Sequence, residues 1–128
     1  MKFLCLVYFE PDAFAALSAD DASRITDATI EHDRQLRASG HLLFASPLAP
    51  PEHGTTIDRR NPVRLSHVDG PYAEAKEVVG GFLLVEARNL DEAVGLFDDD
   101  PLGAYCSVHI RPVVEDHRHS KTGESRPE

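Results

Sequence analysis

Apolar residues crowd the start of the chain on both sides of the backbone. In Lys2 to Phe9, KFLCLVYF, residues Phe3, Cys5, Val7 and Phe9 form one apolar set and Leu4, Leu6 and Tyr8 the other. That pattern belongs to a central strand covered on both faces. The period then changes. Ser18 with Asp21 three residues on resembles a capping box and opens a helix. Ala22, Ile25, Ala28, Thr29, His32 and Leu36 fall on one side of it, and Arg24, Asp27, Glu31 and Arg34 fall on or towards the other. Gly40 supplies the left-handed stop.

His41 to Leu48 reads as a second strand, ended by prolines at 47, 50 and 51. Thr55 to Arg60 and Val63 to Val68 read as a hairpin turning at Asn61-Pro62. A charged loop follows within HVDGPYAEAKEVVGGF, and Gly81 to Arg88 is a strong strand. Asn89 with Glu92 marks a second, short helix that dies at Asp98-Asp99-Asp100-Pro101. Ser107 to Val114 is the last strand. From Glu115 the composition turns wholly polar, so the expected organisation is one domain over residues 1–115 and a disordered tail over 116–128. Removing the residues after Glu115 is expected to leave the melting temperature nearly unchanged in a thermal scan.

The order β-α-β, hairpin, β-α-β predicts an α+β fold: a ferredoxin-like sandwich with an antiparallel sheet and two helices on one face. Two helices cover only one face, whereas the first strand is apolar on both. A second copy packed sheet against sheet is the economical cover.

Composition narrows the partners. The chain has 128 residues, 41% hydrophobic and 27% charged, with a formal net charge of −9. This is an ordinary globular balance, and its sign argues against nucleic acid or an anionic membrane as the main partner. The first apolar segment is too short to span a bilayer and lacks a small-residue cleavage site, so a cytoplasmic location is expected. The two cysteines, Cys5 and Cys106, have no CxxC spacing and read as small buried hydrophobes. The seven histidines form no HxxxH or HExxH pattern, and no metal site or cofactor is expected.

His32 is the most informative position of the first half. It is either a core histidine with satisfied ring nitrogens or a general acid/base at the inner edge of a cleft, work that suits imidazole near neutral pH. Three carboxylates at a helix C-terminus oppose its dipole. Pro101 forces Asp100 into an extended conformation off the helix, which makes Asp100 the candidate to point inward as a partner. The charged loop also has two readings. It is a turn whose Glu74, Lys76 and Glu77 pair within themselves at the surface, or a site. In the second reading Asp69, Tyr72 and Lys76 rim the mouth, and Gly80-Gly81 allow close approach to a ligand. His67 and His109 lie on expected strands.

Asp69-Gly70-Pro71-Tyr72-Ala73-Glu74-Ala75-Lys76-Glu77, then Gly80-Gly81-Phe82 and Leu90-Asp91-Glu92-Ala93, resembles the DGPF-type branch of the YCII-related proteins. Tyr72 stands where that motif has Phe and Ala75 where it has Thr. His32 in IEHDRQLRASGHLLFASPL and Asp100-Pro101 resemble the His and Asp-Pro positions of the shorter YCII proteins. The resemblance implies a dimeric α+β barrel and a His32–Asp100 acid/base pair. Asp69, Tyr72, Lys76, Gly81 and His109 are then the substrate-binding candidates. The expected activity is cofactor-independent proton transfer on a small polar metabolite, of isomerase or lyase type. The alternative is a non-catalytic ligand-binding or regulatory dimer linked to sigma-factor transcription control.

Overall fold

The computed structural model describes residues 1–60 and 76–115. Its elements are β1 (Lys2–Phe9), α1 (Pro11–Ala15), α2 (Ala19–Ala38), β2 (Leu42–Pro47), a 3-10 turn (Pro51–His53), β3 (Val78–Glu86), α3 (Leu90–Gly95) and β4 (Cys106–Pro112). The four strands form one sheet in the order β2-β3-β1-β4, with every neighbouring pair antiparallel. This is the α+β arrangement expected from the element order, with β1 central.

Local chemistry sets the helix ends. Ser18 Oγ accepts the Asp21 N–H at 3.0 Å and caps α2. At the other end Gly40 has φ +86, the Gly40 N–H donates to the Arg37 carbonyl, and the His41 N–H reaches back to the Leu36 carbonyl. That pair of bonds is a Schellman stop. Asn89 caps α3 through the Glu92 N–H at 2.8 Å.

The core lies between the helices and one sheet face. Phe3, Cys5 and Val85 are fully buried there, joined by Leu36 of α2, Leu42 of β2 and Ala93 of α3. On the opposite face Leu4 pairs with Leu84 and Leu6 with Phe82. Leu4 is 36% exposed and Phe44 55%, so no helix of the described residues covers this apolar surface.

Three expectations need correction. Thr55 to Arg60 has no strand, and its expected partner, residues 63–68, lies outside the described residues. Here Asp58 instead accepts from the Arg60 backbone N–H and guanidinium, a local pairing that competes with a ladder. The second helix stops at Gly95 and continues as turns closed by bonds such as Asp98 N–H to the Gly95 carbonyl. Helix α1 was not expected. Pro11 starts it, and Phe14 holds it through ring contacts with Phe9 (5.2 Å) and Tyr105 (5.9 Å), which are tertiary in origin.

The double glycine has a packing cause. The β1–β3 register shifts at Val7/Tyr8, leaving Gly80 as the extra residue of a bulge between Gly81 and Val79. A β-carbon on Gly80 would lie 2.6 Å from Phe9 Cδ1, and one on Gly81 3.0 Å from the Ser46 carbonyl oxygen. Gly80→Ala is therefore expected to displace the Phe9 ring and cost about 1–3 kcal/mol in denaturant unfolding, an overpacking penalty. Adding Phe9→Leu should return part of that loss, which a pure backbone effect would not allow.

Candidate functional site

A cavity of about 530 Å³ opens between α2 and the inner sheet face. Its size is in the range of small-ligand pockets. Every layer contributes to it. Phe9 comes from β1, Phe14 from α1, Ile25 and Thr29 from α2, Leu83 from β3, and Phe97 from the turn after α3. The walls are mostly apolar, with phenylalanine rings among aliphatic side chains. Among the described residues three ionisable oxygen or nitrogen side chains face it: His32, Asp33 and Asp100.

His32 sits in the penultimate turns of α2, one helical turn before buried Leu36. Its Nε2 lies 3.1 Å from the Leu96 carbonyl oxygen. A carbonyl only accepts, so Nε2 carries the proton and donates. The neutral ring then keeps its lone pair on Nδ1. Leu96 is the C-cap of α3, where carbonyls lack intrahelical donors, so the contact also satisfies the helix end.

Asp100 follows the turns after α3, and its side chain is committed locally. Its Oδ1 accepts the Leu102 N–H at 2.9 Å, and its backbone carbonyl accepts the Gly103 N–H. Asp98 and Asp99 are exposed, whereas Asp100 is half-buried. His32 and Asp100 share the cavity but make neither a hydrogen bond nor an ion pair with each other. The ring is oriented by a backbone carbonyl instead of a carboxylate.

Asp33 is not among the candidates that the sequence pattern singles out, since the apolar stripe runs through Thr29, His32 and Leu36. The signal was present: Ile25, Thr29 and Asp33 are spaced by four, which stacks them on one helix face. Asp33 is half-buried, and its side chain makes no hydrogen bond or ion pair with the described residues. Burial pushes its carboxyl above the ordinary value; neighbouring Asp100 adds to the rise, and His32 and Arg37 oppose it. A folded-state value above the unfolded one gives stability that is fully present below about pH 3.9 and lost as pH rises through the folded value. Asp33→Asn is accordingly expected to melt higher than the wild type at neutral pH. The gap should close on acidification towards pH 4 in a series of thermal scans.

The thiols are not poised as nucleophiles. Burial pushes Cys106, which lines the cavity, up to about 11, aided by Asp100 and Glu77, and burial alone pushes Cys5 to about 11. The Thr26 and Thr29 hydroxyls donate to backbone carbonyls of their own helix. No three His, Cys, Asp or Glu side chains converge as a metal set among the described residues.

The remaining candidates separate. Gly81 lines the cavity. Lys76 is exposed, with Nζ 3.9 Å from Glu10, so its described partner is on the β1–α1 connection and not in its own loop. His109 pairs with Leu6 on β4 and is exposed on the outer sheet face, away from the cavity, because its strand position has the parity of Leu4 and Leu6. Asp69, Tyr72, Glu74 and His67 lie outside the described residues, as does most of the motif at 69–77. No helix among the described residues is long and apolar enough to cross a membrane.

Known proteins are similar to this chain. The chain is 28% identical over 116 residues to the uncharacterised protein R00369 of Rhizobium meliloti (strain 1021), covering 89% of this chain and 93% of that one. Its fold is similar to that of 5-chloro-2-hydroxyhydroquinone dehydrochlorinase (TftG) from Burkholderia phenoliruptrix AC1100, solved with 2,5-dihydroxybenzoquinone. The TM-score is 0.56 at 17% identity, over 92% of this chain and 98% of that one. Residues 1–116 match the YCII-related domain, and the chain belongs to that family.

Proposed function

We propose that this protein is a cofactor-independent acid/base catalyst of isomerase or lyase type, acting on a small polar metabolite in the cavity under α2. The observation that carries the reading is the convergence of His32, Asp33 and Asp100 on one apolar cavity of about 530 Å³. His32 is the base. Its Nδ1 lone pair takes a proton from a carbon beside a carbonyl, and the Leu96 carbonyl holds the ring through the Nε2–H. The C–H electron pair becomes a new double bond. A leaving group then departs with its own electron pair, or a carboxyl of the site returns a proton elsewhere. The dehydrochlorinase with a similar fold supports the elimination branch.

The apolar outer sheet face, with Leu4, Leu6, Phe82 and Leu84, supports a homodimer closed sheet against sheet, the dimeric barrel. The Asp69–Glu77 motif supports the DGPF-type branch, and Gly81 at the cavity wall supports a substrate contact there. On this reading the protein works in the cytoplasm, and Asp69, Tyr72 and Lys76 are residues to test at the mouth.

A panel of hydroxylated quinols and unsaturated lactones incubated in D2O, with deuterium at carbon read by mass spectrometry, tests the activity. Exchange or elimination by the wild type that is lost in His32→Gln is the expected result. Binding without exchange by any panel member would leave the regulatory or ligand-binding dimer as the better account.

A further inference from the structure

The polar complement of the cavity has a sign. Among the described residues that line it there are two carboxylates and one imidazole, and no lysine or arginine. The three are not equivalent. Asp100 Oδ1 is occupied by the Leu102 N–H and His32 Nε2 by the Leu96 carbonyl, whereas the Asp33 carboxylate has no hydrogen bond to a described residue. Among the described residues Asp33 is therefore an acceptor without a hydrogen-bond donor, half-buried at the wall of a space lined by Phe9, Phe14 and Phe97. A half-buried carboxylate gains from a ligand donor and loses from a second anion. The phenylalanines among these walls offer faces and edges to a flat ring.

We infer that the cavity takes an uncharged ring compound bearing hydroxyl donors, that Asp33 receives one of these hydroxyls, and that ring compounds carrying a carboxylate are rejected. Asp33 is on this account a specificity-determining residue, with His32 Nδ1 as the second acceptor. This rests on the acid/base reading of the same site and adds the class of substrate. It also separates the roles of the two aspartates: Asp100 shapes the turn that carries Phe97 and Leu102, and Asp33 meets the ligand.

The test compares hydroquinone with 4-hydroxybenzoate, which replaces one para hydroxyl by a carboxylate. Binding is followed by isothermal titration and by shifts of the Thr29 and Asp33 backbone amide resonances. Hydroquinone is expected to bind about tenfold or more tighter than 4-hydroxybenzoate, the consequence of like charges meeting in a half-dry site. In Asp33→Asn, an isosteric change checked for folding by circular dichroism, the ratio should shrink, with hydroquinone weakened and 4-hydroxybenzoate strengthened. Equal binding of both probes by the wild type, or an unchanged ratio in Asp33→Asn, would overturn the charge selection and leave acid/base chemistry standing. No binding of either probe at millimolar concentration would overturn the selection and the cavity as a site together. Discrimination without any deuterium exchange would uphold this inference while removing catalysis.

Discussion

Phe3→Ala is expected to bring the protein to the edge of unfolding at 25 °C. Phe3 is fully buried on the inner face of β1, between β3 and β4, and its ring is the largest fully buried side chain. Truncating a core phenylalanine costs about 3–5 kcal/mol in lost transfer energy and residual cavity. A domain of this size has only about 5–15 kcal/mol in total. Urea unfolding measures the loss directly. Its neighbour Leu4 gives the contrast, because it points to the opposite face and is 36% exposed. In an isolated chain Leu4→Ala should cost less than about 1 kcal/mol. A larger, concentration-dependent cost would mean that a second copy covers the outer face. Leu6→Asp places a carboxylate on the same surface. It should convert a dimer to monomer in sedimentation, with little change if the chain is monomeric from the start.

The second large effect is expected at His32. His32→Ala removes the only imidazole at the cavity among the described lining residues, and with it the proposed base. The rate on any substrate found should fall by about 10²–10⁴-fold, the usual worth of positioned acid/base catalysis. The same change removes the donor to the Leu96 carbonyl, costing about 1 kcal/mol of stability. His32→Gln separates the two contributions. Its amide can donate to Leu96 but cannot act as a base, so stability should recover while the rate does not. Recovery of the rate in His32→Gln would show that the ring only shapes the wall. Asp100→Asn offers a control. Its Oδ1 accepts a backbone N–H that the amide oxygen can still accept, so its effect on the rate should be smaller than that of His32→Gln.

Much of the architecture was legible because it rests on local or periodic signals. Ser18 before the Asp21 amide and Asn89 before the Glu92 amide are caps, which depend on four consecutive residues. Gly40 marks its stop because only its φ of +86 requires a glycine there. The apolar character of the outer face is legible in KFLCLVYF, since alternation along one strand fixes which residues share a face. His32 and Asp100 were both readable as inward-facing, the first from helical spacing and the second from the proline that follows it. Asp33 is not legible in the same way, although it shares a face with Ile25 and Thr29, because a charged residue at the edge of an apolar stripe is usually solvated.

What sequence could not contain was distance across the fold. His32 and Asp100 are 68 positions apart by subtraction of their numbers, and nothing local reports whether they touch. The structure brings both to one cavity and gives the imidazole to the Leu96 carbonyl, 64 positions away. Helix α1 depends in the same way on Phe9 and Tyr105, and the Gly80 bulge on the Phe9 ring. Periodicity, caps and turns determined the elements and their faces, because these follow from neighbours in the chain. Partner choice inside the cavity was left to tertiary packing, because hydrogen bonds form with whichever group the fold carries within about 3 Å.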